Sequence, residues 1–287
     1  MKICVIYVGG YNMFDSCSKT HKGLFDLLKE LNIEYDVYIS VANEIFFGAE
    51  QIEKIVKLKE RLEKVYKYTG LKDTEPTEKR LGRWGGYKLC KLVDIDYLVH
   101  MFSETVGKEN IKYIDTTITF DKQLNSDILN GQKLNSFRKG DSIHALPSFF
   151  NTTVFKRLEM LSKIINKEEY CKYITMRPDF ILRQNTINIK KLRECILYDS
   201  AAGKNYMLMN DRIDYFTISN KIYCDILNKK IYDDLVKSEN IADDNSIYNI
   251  IKTSPYKSGL HLEVFRDKLF EKLEIECINM KIGNKAV

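Results

Sequence analysis

Apolar positions in this chain switch between strand and helix spacing, and the switches predict the fold. Ile3, Cys4, Val5, Ile6, Tyr7 and Val8 form an unbroken apolar run that stops at Gly9-Gly10. A short run of this kind, bounded by glycine, predicts a central strand buried on both faces. Leu24, Phe25, Leu27, Leu28 and Leu31 then recur at helical spacing, with Ser16 or Ser18 placed to cap the helix. Tyr35 to Val41 predicts a second strand. Strand, glycine turn, helix and strand in this order open a Rossmann-like nucleotide half-fold.

Beyond this unit the pattern stays mixed. Residues 49–68 have the clearest helical period, with Glu50–Lys54, Glu53–Lys57 and Glu60–Lys64 pairs on the polar face and Gly70 as a C-cap. Residues 72–83 are polar and contain Pro76, which predicts a loop; a helix is expected from about Tyr87 to Phe102 and a strand over 112–120. Residues 121–142 are polar and weakly patterned. Phe149, Val154, Leu158, Leu161 and Ile165 mark another amphipathic helix.

The apolar run that follows ends in Met176-Arg177-Pro178-Asp179. Tyr206 to Met209 is a further strand ending in Asn210-Asp211-Arg212. Ile213 to Ser219 predicts a strand, the next segment to about Leu235 a helix, and 262–273 a late helix. The expected fold class is α/β: a mostly parallel sheet flanked by helices, in a single domain over 1–287 with a helical insertion over about 48–105.

Composition narrows the function classes. Hydrophobic residues make up 44% and charged residues 30%, enough for an ordinary packed core. The net charge of +5 is spread along the chain without a basic block, so no nucleic-acid footprint is expected. Seven cysteines, an odd number with no Cys-x-x-Cys pair, argue against a disulfide framework or a zinc knuckle and for a reducing, cytoplasmic setting. The first apolar run is too short for a signal-peptide core, and no run reaches the length of a membrane span.

The candidate chemistry lies at strand ends, where ligands bind in open α/β sheets. Pro178 stops the ladder and leaves the Arg177 guanidinium and the Asp179 carboxylate near the expected crevice. A guanidinium can fork onto a phosphate, and a carboxylate can hold a metal or a sugar hydroxyl. Asp211 repeats the arrangement after a second apolar strand. Gly9-Gly10 allows close backbone approach but lacks the third glycine of a dinucleotide fingerprint. His21, His100, His144 and His261 show no metal-ligand spacing; they are expected at the surface or in caps, with His144 kept open as a catalyst ahead of a helix. Trp84, Tyr11 and Tyr87 are aromatic faces suited to a base or sugar ring.

The order of these features resembles a family of bacterial and viral GT-A-type glycosyltransferases of lipopolysaccharide and capsule synthesis. The residues that carry the resemblance are Val5 to Gly10, Tyr35 to Ile39, Ser148-Phe149-Phe150, Met176 to Asp179, Asn210 through Phe216, and His261-Leu262-Glu263. The resemblance implies a nucleoside-diphosphate-sugar donor and a glycan or lipid-linked acceptor. Separately, Tyr256, Lys257, His261 and Phe265 are basic and aromatic residues that leave peripheral contact with a membrane open, with ordinary solvated surface the expected reading. The resemblance also implies that Val8, Gly9, Gly10, Asp36 and Arg177 line the donor. It puts Asp179 in the place of a carboxylate that binds manganese or magnesium, and Asp211, with Glu263 second, as the base. Arg177 stands where the family's first metal-binding aspartate would be, so either a divalent metal or Arg177 itself meets the phosphate charge. Two other readings remain: a sugar nucleotidyltransferase, or a non-catalytic glycan-binding protein on the same fold.

Overall fold

The computed structural model describes residues 1–11, 14–47, 77–80, 87–116, 153–200, 203–210, 212–226 and 274–285. The first apolar run lies inside β1 (Lys2–Gly10), with Ile3 to Val8 fully buried. α1 (Phe14–Glu30) and β2 (Glu34–Ala42) complete the expected unit. β3 (Glu44–Phe47), β4 (Thr77–Arg80) and β5 (Tyr87–Leu92) form a small antiparallel sheet of their own. α2 (Ile95–Val106) leads into β6 (Ile111–Asp115), and α3 (Thr153–Ile164) into β7 (Lys172–Met176). After β8 (Phe180–Leu182) come α4 (Thr186–Leu197), β9 (Tyr206–Asn210), β10 (Arg212–Ser219) and the short α5 (Tyr223–Ile226). β11 (Glu276–Asn279) and β12 (Gly283–Lys285) close the described chain.

The main sheet has seven strands in the order β11-β9-β10-β7-β1-β2-β6. β1 is parallel to both β2 and β7, β2 to β6, and β9 to β11; β10 alone runs against its neighbours β7 and β9. The α/β class with a mostly parallel sheet therefore holds. Side chains alternate across a strand, so contacts fix the face each helix covers. Tyr7 touches Phe14 and His21 of α1 and Phe102 of α2. Ser40, which belongs to β2 and stands opposite Val8 in register, touches Arg157 of α3. Residues 7 and 8 face opposite ways, so α1 and α2 cover one face and α3 the other.

The core on the α1 side is aromatic. Phe14 and Phe102 stack at 4.2 Å, and Tyr7 and Tyr11 meet them edge-on. Burial of one such ring contributes about 2–3 kcal/mol, which makes this cluster the bond between the two helices and β1.

Several local expectations change. Tyr87–Leu92 is a strand where a helix was expected, and Thr77–Arg80 a strand where a loop was expected. Tyr-Lys-Leu-Cys-Lys-Leu has no clear period of its own, and the backbone pairs Glu44–Phe47 on one side and Thr77–Arg80 on the other. The helix starts only where Asp94 accepts hydrogen bonds from the Asp96 and Tyr97 amides. α1 begins at Phe14, ahead of both serines proposed as caps, and the Ser18 hydroxyl donates back to the Asp15 carbonyl at 3.0 Å. α4 was not anticipated; Asn185 caps it by accepting from the Asn188 amide at 2.9 Å. The expected helices at 49–68 and 262–273, and the segment 121–142, lie outside the described residues. Among the described residues no helix is long and apolar enough to cross a membrane.

Candidate functional site

β1 is the strand at which the winding reverses. From β1 the chain moves over the α1 face to β2 and, through α2, to β6. It returns over the α3 face to β7, on the other side of β1. The carboxyl ends of β1 and β7 therefore flank a topological switch point, the place where open α/β sheets hold ligands. Tyr7 pairs with Met176, so Gly9-Gly10 and Arg177-Pro178-Asp179 emerge side by side.

Gly9 has a φ of +125°, a backbone conformation that favours glycine. A Cβ built there would lie 3.7 Å from Cγ of Arg177 and 3.9 Å from Cδ of Pro178. Both are ordinary contact distances, so it is the φ and not the Arg177 stem beside it that calls for glycine here. Arg177 and Asp179 form a fork: Nε donates to Oδ1 and Nη2 to Oδ2, both at 2.8 Å. The side chain of Asp179 is 3% exposed and that of Arg177 17%. The Phe180 amide donates to the Arg177 carbonyl at 3.2 Å and closes the turn.

Beneath this turn α1 presents neutral groups. His21 is fully buried, not a surface or capping residue. Its Nε2–H donates to the Phe180 carbonyl, which leaves Nδ1 to accept from the Tyr7 hydroxyl at 3.1 Å. Burial pushes its pKa down to about 4, opposed by the Phe180 carbonyl and the Asp179 charge. Burial, with the charges of Asp179 and Asp15, raises the Cys17 thiol to about 12, so this cysteine is an inert core group. Tyr11, proposed to stack on a ring, is fully buried against Phe14 and Phe102, and its hydroxyl donates to Asp15. Its faces serve the core.

A second charged group at the same edge was missed. Ser40 donates to Oδ2 of Asp115 at 3.0 Å, where β2 and β6 end, and Nη1 of Arg157 donates to Ser40 at 2.9 Å. Arg157, Asp115 and Glu44 are all buried. Burial lowers the Arg157 pKa to about 10, against the charges of Asp115 and Glu44. The signal was present: Arg157 sits on the same helical stripe as Val154, Leu158 and Leu161, a charge inside an apolar row.

The remaining predicted residues separate. Val8 is fully buried and faces the α3 layer, so only its backbone reaches the edge. Asp36 lies at the amino end of the sheet, opposite Cys4 in register and five residues before the β2 partner of Gly9. There it accepts from Lys2 at 2.7 Å and from the Tyr170 hydroxyl at 2.6 Å, with Lys112 at 3.4 Å. Burial opposes its charge, but these partners outweigh it and hold the pKa below the usual carboxylate range. The structure does not bring Asp36 to the glycine turn. Asn210 ends β9 and is itself buried, binding the backbone of Ile282 and Gly283. Asp211, Glu263, Trp84, His144 and His261 lie outside the described residues.

Among the described residues the turn does not supply the ligand set of the metal that the resemblance implies. Both oxygens of Asp179 point into the Arg177 fork, and a divalent cation needs several oxygen ligands. Among the described residues no three His, Cys, Asp or Glu groups converge to hold an ion. A separate cavity of about 540 Å³, lined by Tyr198, Asp199, Lys204, Glu274 and Glu276 among others, lies at the amino end of β9 and β11, far from the switch point. Compared with known protein families, curated proteins and solved structures, the chain matches none.

Proposed function

We propose that this chain is a glycosyltransferase of GT-A-like architecture that moves a sugar from a nucleoside-diphosphate donor to a glycan or lipid-linked acceptor. The observation that carries the reading is the junction of Gly9 with Arg177 at the switch point, where a positive-φ glycine and a pre-set guanidinium meet at the carboxyl ends of two parallel strands. Glycine lets the backbone approach a ligand closely, and the guanidinium suits the diphosphate that departs when the glycosidic bond to the donor breaks. In this reading Arg177 stabilises the leaving group and Asp211 takes the proton of the acceptor hydroxyl, with Glu263 the second candidate for that base.

The test is incubation with a panel of nucleoside-diphosphate sugars and acceptor glycans, following release of nucleoside diphosphate. Turnover with at least one donor is expected. Asp211→Asn is expected to lower kcat by about 100-fold or more while the melting temperature stays unchanged. Absence of both turnover and binding across the panel contradicts the proposal.

A further inference from the structure

We propose that Asp15 is a further binding residue of the switch-point site, whose carboxylate accepts the hydroxyls of the donor's ribose beside the glycine turn. The inference rests on the transferase reading and names the part of the donor that the site selects. The chain passes from β1 into α1 within a few residues. The Tyr11 amide donates to the Ala42 carbonyl at 2.8 Å, and the Phe14 amide to the Tyr11 carbonyl at 3.0 Å. The first turn of α1, which contains Asp15, therefore stands at the carboxyl ends of β1 and β2. The Tyr11 ring is fully buried and packs edge-on against Phe14 and Phe102, and its hydroxyl donates to Oδ1 of Asp15. A core side chain thus sets the direction of a carboxylate that is itself only half-buried.

Asp15 shares this edge with the turn after β7. The charges of Asp179 and Asp15 both bear on the buried Cys17 thiol, which puts the two carboxylates near one turn of α1. An ionised carboxylate only accepts, at about four lone-pair sites, so the bond from Tyr11 uses a small part of its capacity. It repels phosphate, so its partner on a nucleoside diphosphate is a hydroxyl donor. Asp15 belongs to the β1-α1-β2 half, the nucleotide-binding half of a doubly wound sheet. The ribose is the group next to the diphosphate on that side, and its two neighbouring hydroxyls suit a carboxylate. Asp36, expected among the donor residues, lies at the opposite end of the sheet, and Asp15 takes that role.

The experiment is calorimetric titration of the full chain, with magnesium present, using ADP, CDP, GDP and UDP, their 2′-deoxy counterparts and inorganic pyrophosphate. Wild type is expected to bind at least one ribonucleotide about tenfold more tightly than its deoxy form, the usual worth of a hydrogen bond to a charged group. Asp15→Asn is expected to lose about tenfold on that ribonucleotide, and less than about twofold on the deoxy form and on pyrophosphate. Equal affinity of wild type for the ribo and deoxy forms overturns the inference and leaves the transferase reading standing. An Asp15→Asn loss that is the same for every probe also overturns it, since a merely structural carboxylate would act that way. The wild-type comparison decides even where the variant fails to fold. If no nucleotide binds, the transferase reading falls, and this inference with it.

Discussion

At the scale of single residues, His21 is a working core histidine. It has no exposed surface and both ring nitrogens are engaged, which requires the neutral ring. Its folded pKa of about 4 lies below the unfolded value of about 6.5, so between the two the unfolded chain binds more protons. The stability held by the neutral ring is complete above about pH 6.5 and is lost as pH falls toward 4, by about 3 kcal/mol. Urea unfolding of wild type and His21→Gln across that range is expected to show the wild type losing about this much more than the variant; parallel profiles contradict it. Asp36 acts in the next window down: its depressed pKa gives stability that is present above about pH 3.9 and lost as pH falls through the folded value. The core position of His21 was legible, since it precedes Leu24, Phe25 and Leu28 on one helical face. Arg177 and Asp179 were legible as a strand-end pair, but not as a fork, because spacing does not say whether neighbouring charges meet each other or a ligand.

At the scale of elements, strong periods were readable and short ones were not. β1, α1, β2, β7, β9 and β10 fall where apolar runs and helical stripes put them. Tyr87–Leu92 misled because its lysines and apolar residues fit a helix or a strand at that length, and backbone pairing with β3 and β4 decided. The deciding local signal was Asp94, whose side chain starts α2. Asp94→Ala is expected to cost about 1 kcal/mol in urea unfolding, and Asp94→Ser to recover most of it. Equal stability of all three would show that α2 needs no cap. α4 escaped notice because its apolar face is narrow: Leu192, Cys195 and Ile196 are buried, while Ile187 is 78% exposed.

At the scale of the whole molecule, the sheet order makes a site out of residues that the chain keeps far apart. Gly9 and Arg177 are 168 positions apart and lie side by side because β7 returns to the side of β1 that β2 leaves open. That return is a choice of topology, and no local pattern announces it. Strand polarity was legible, and it alone would have removed Asp36 from the donor residues, since the residue sits near the start of its strand and the glycines at the end of theirs. The Arg157, Ser40 and Asp115 cluster needed three separate elements to be brought together before it existed.

Hydrogen exchange with and without a saturating nucleoside-diphosphate sugar tests the switch-point site most directly. The expected result is new protection at 7–11 and 176–182, with residues 198–206 and 274–279 unchanged. Protection confined to the cavity beside Tyr198 and Glu276, or none at the glycine turn, would contradict the account.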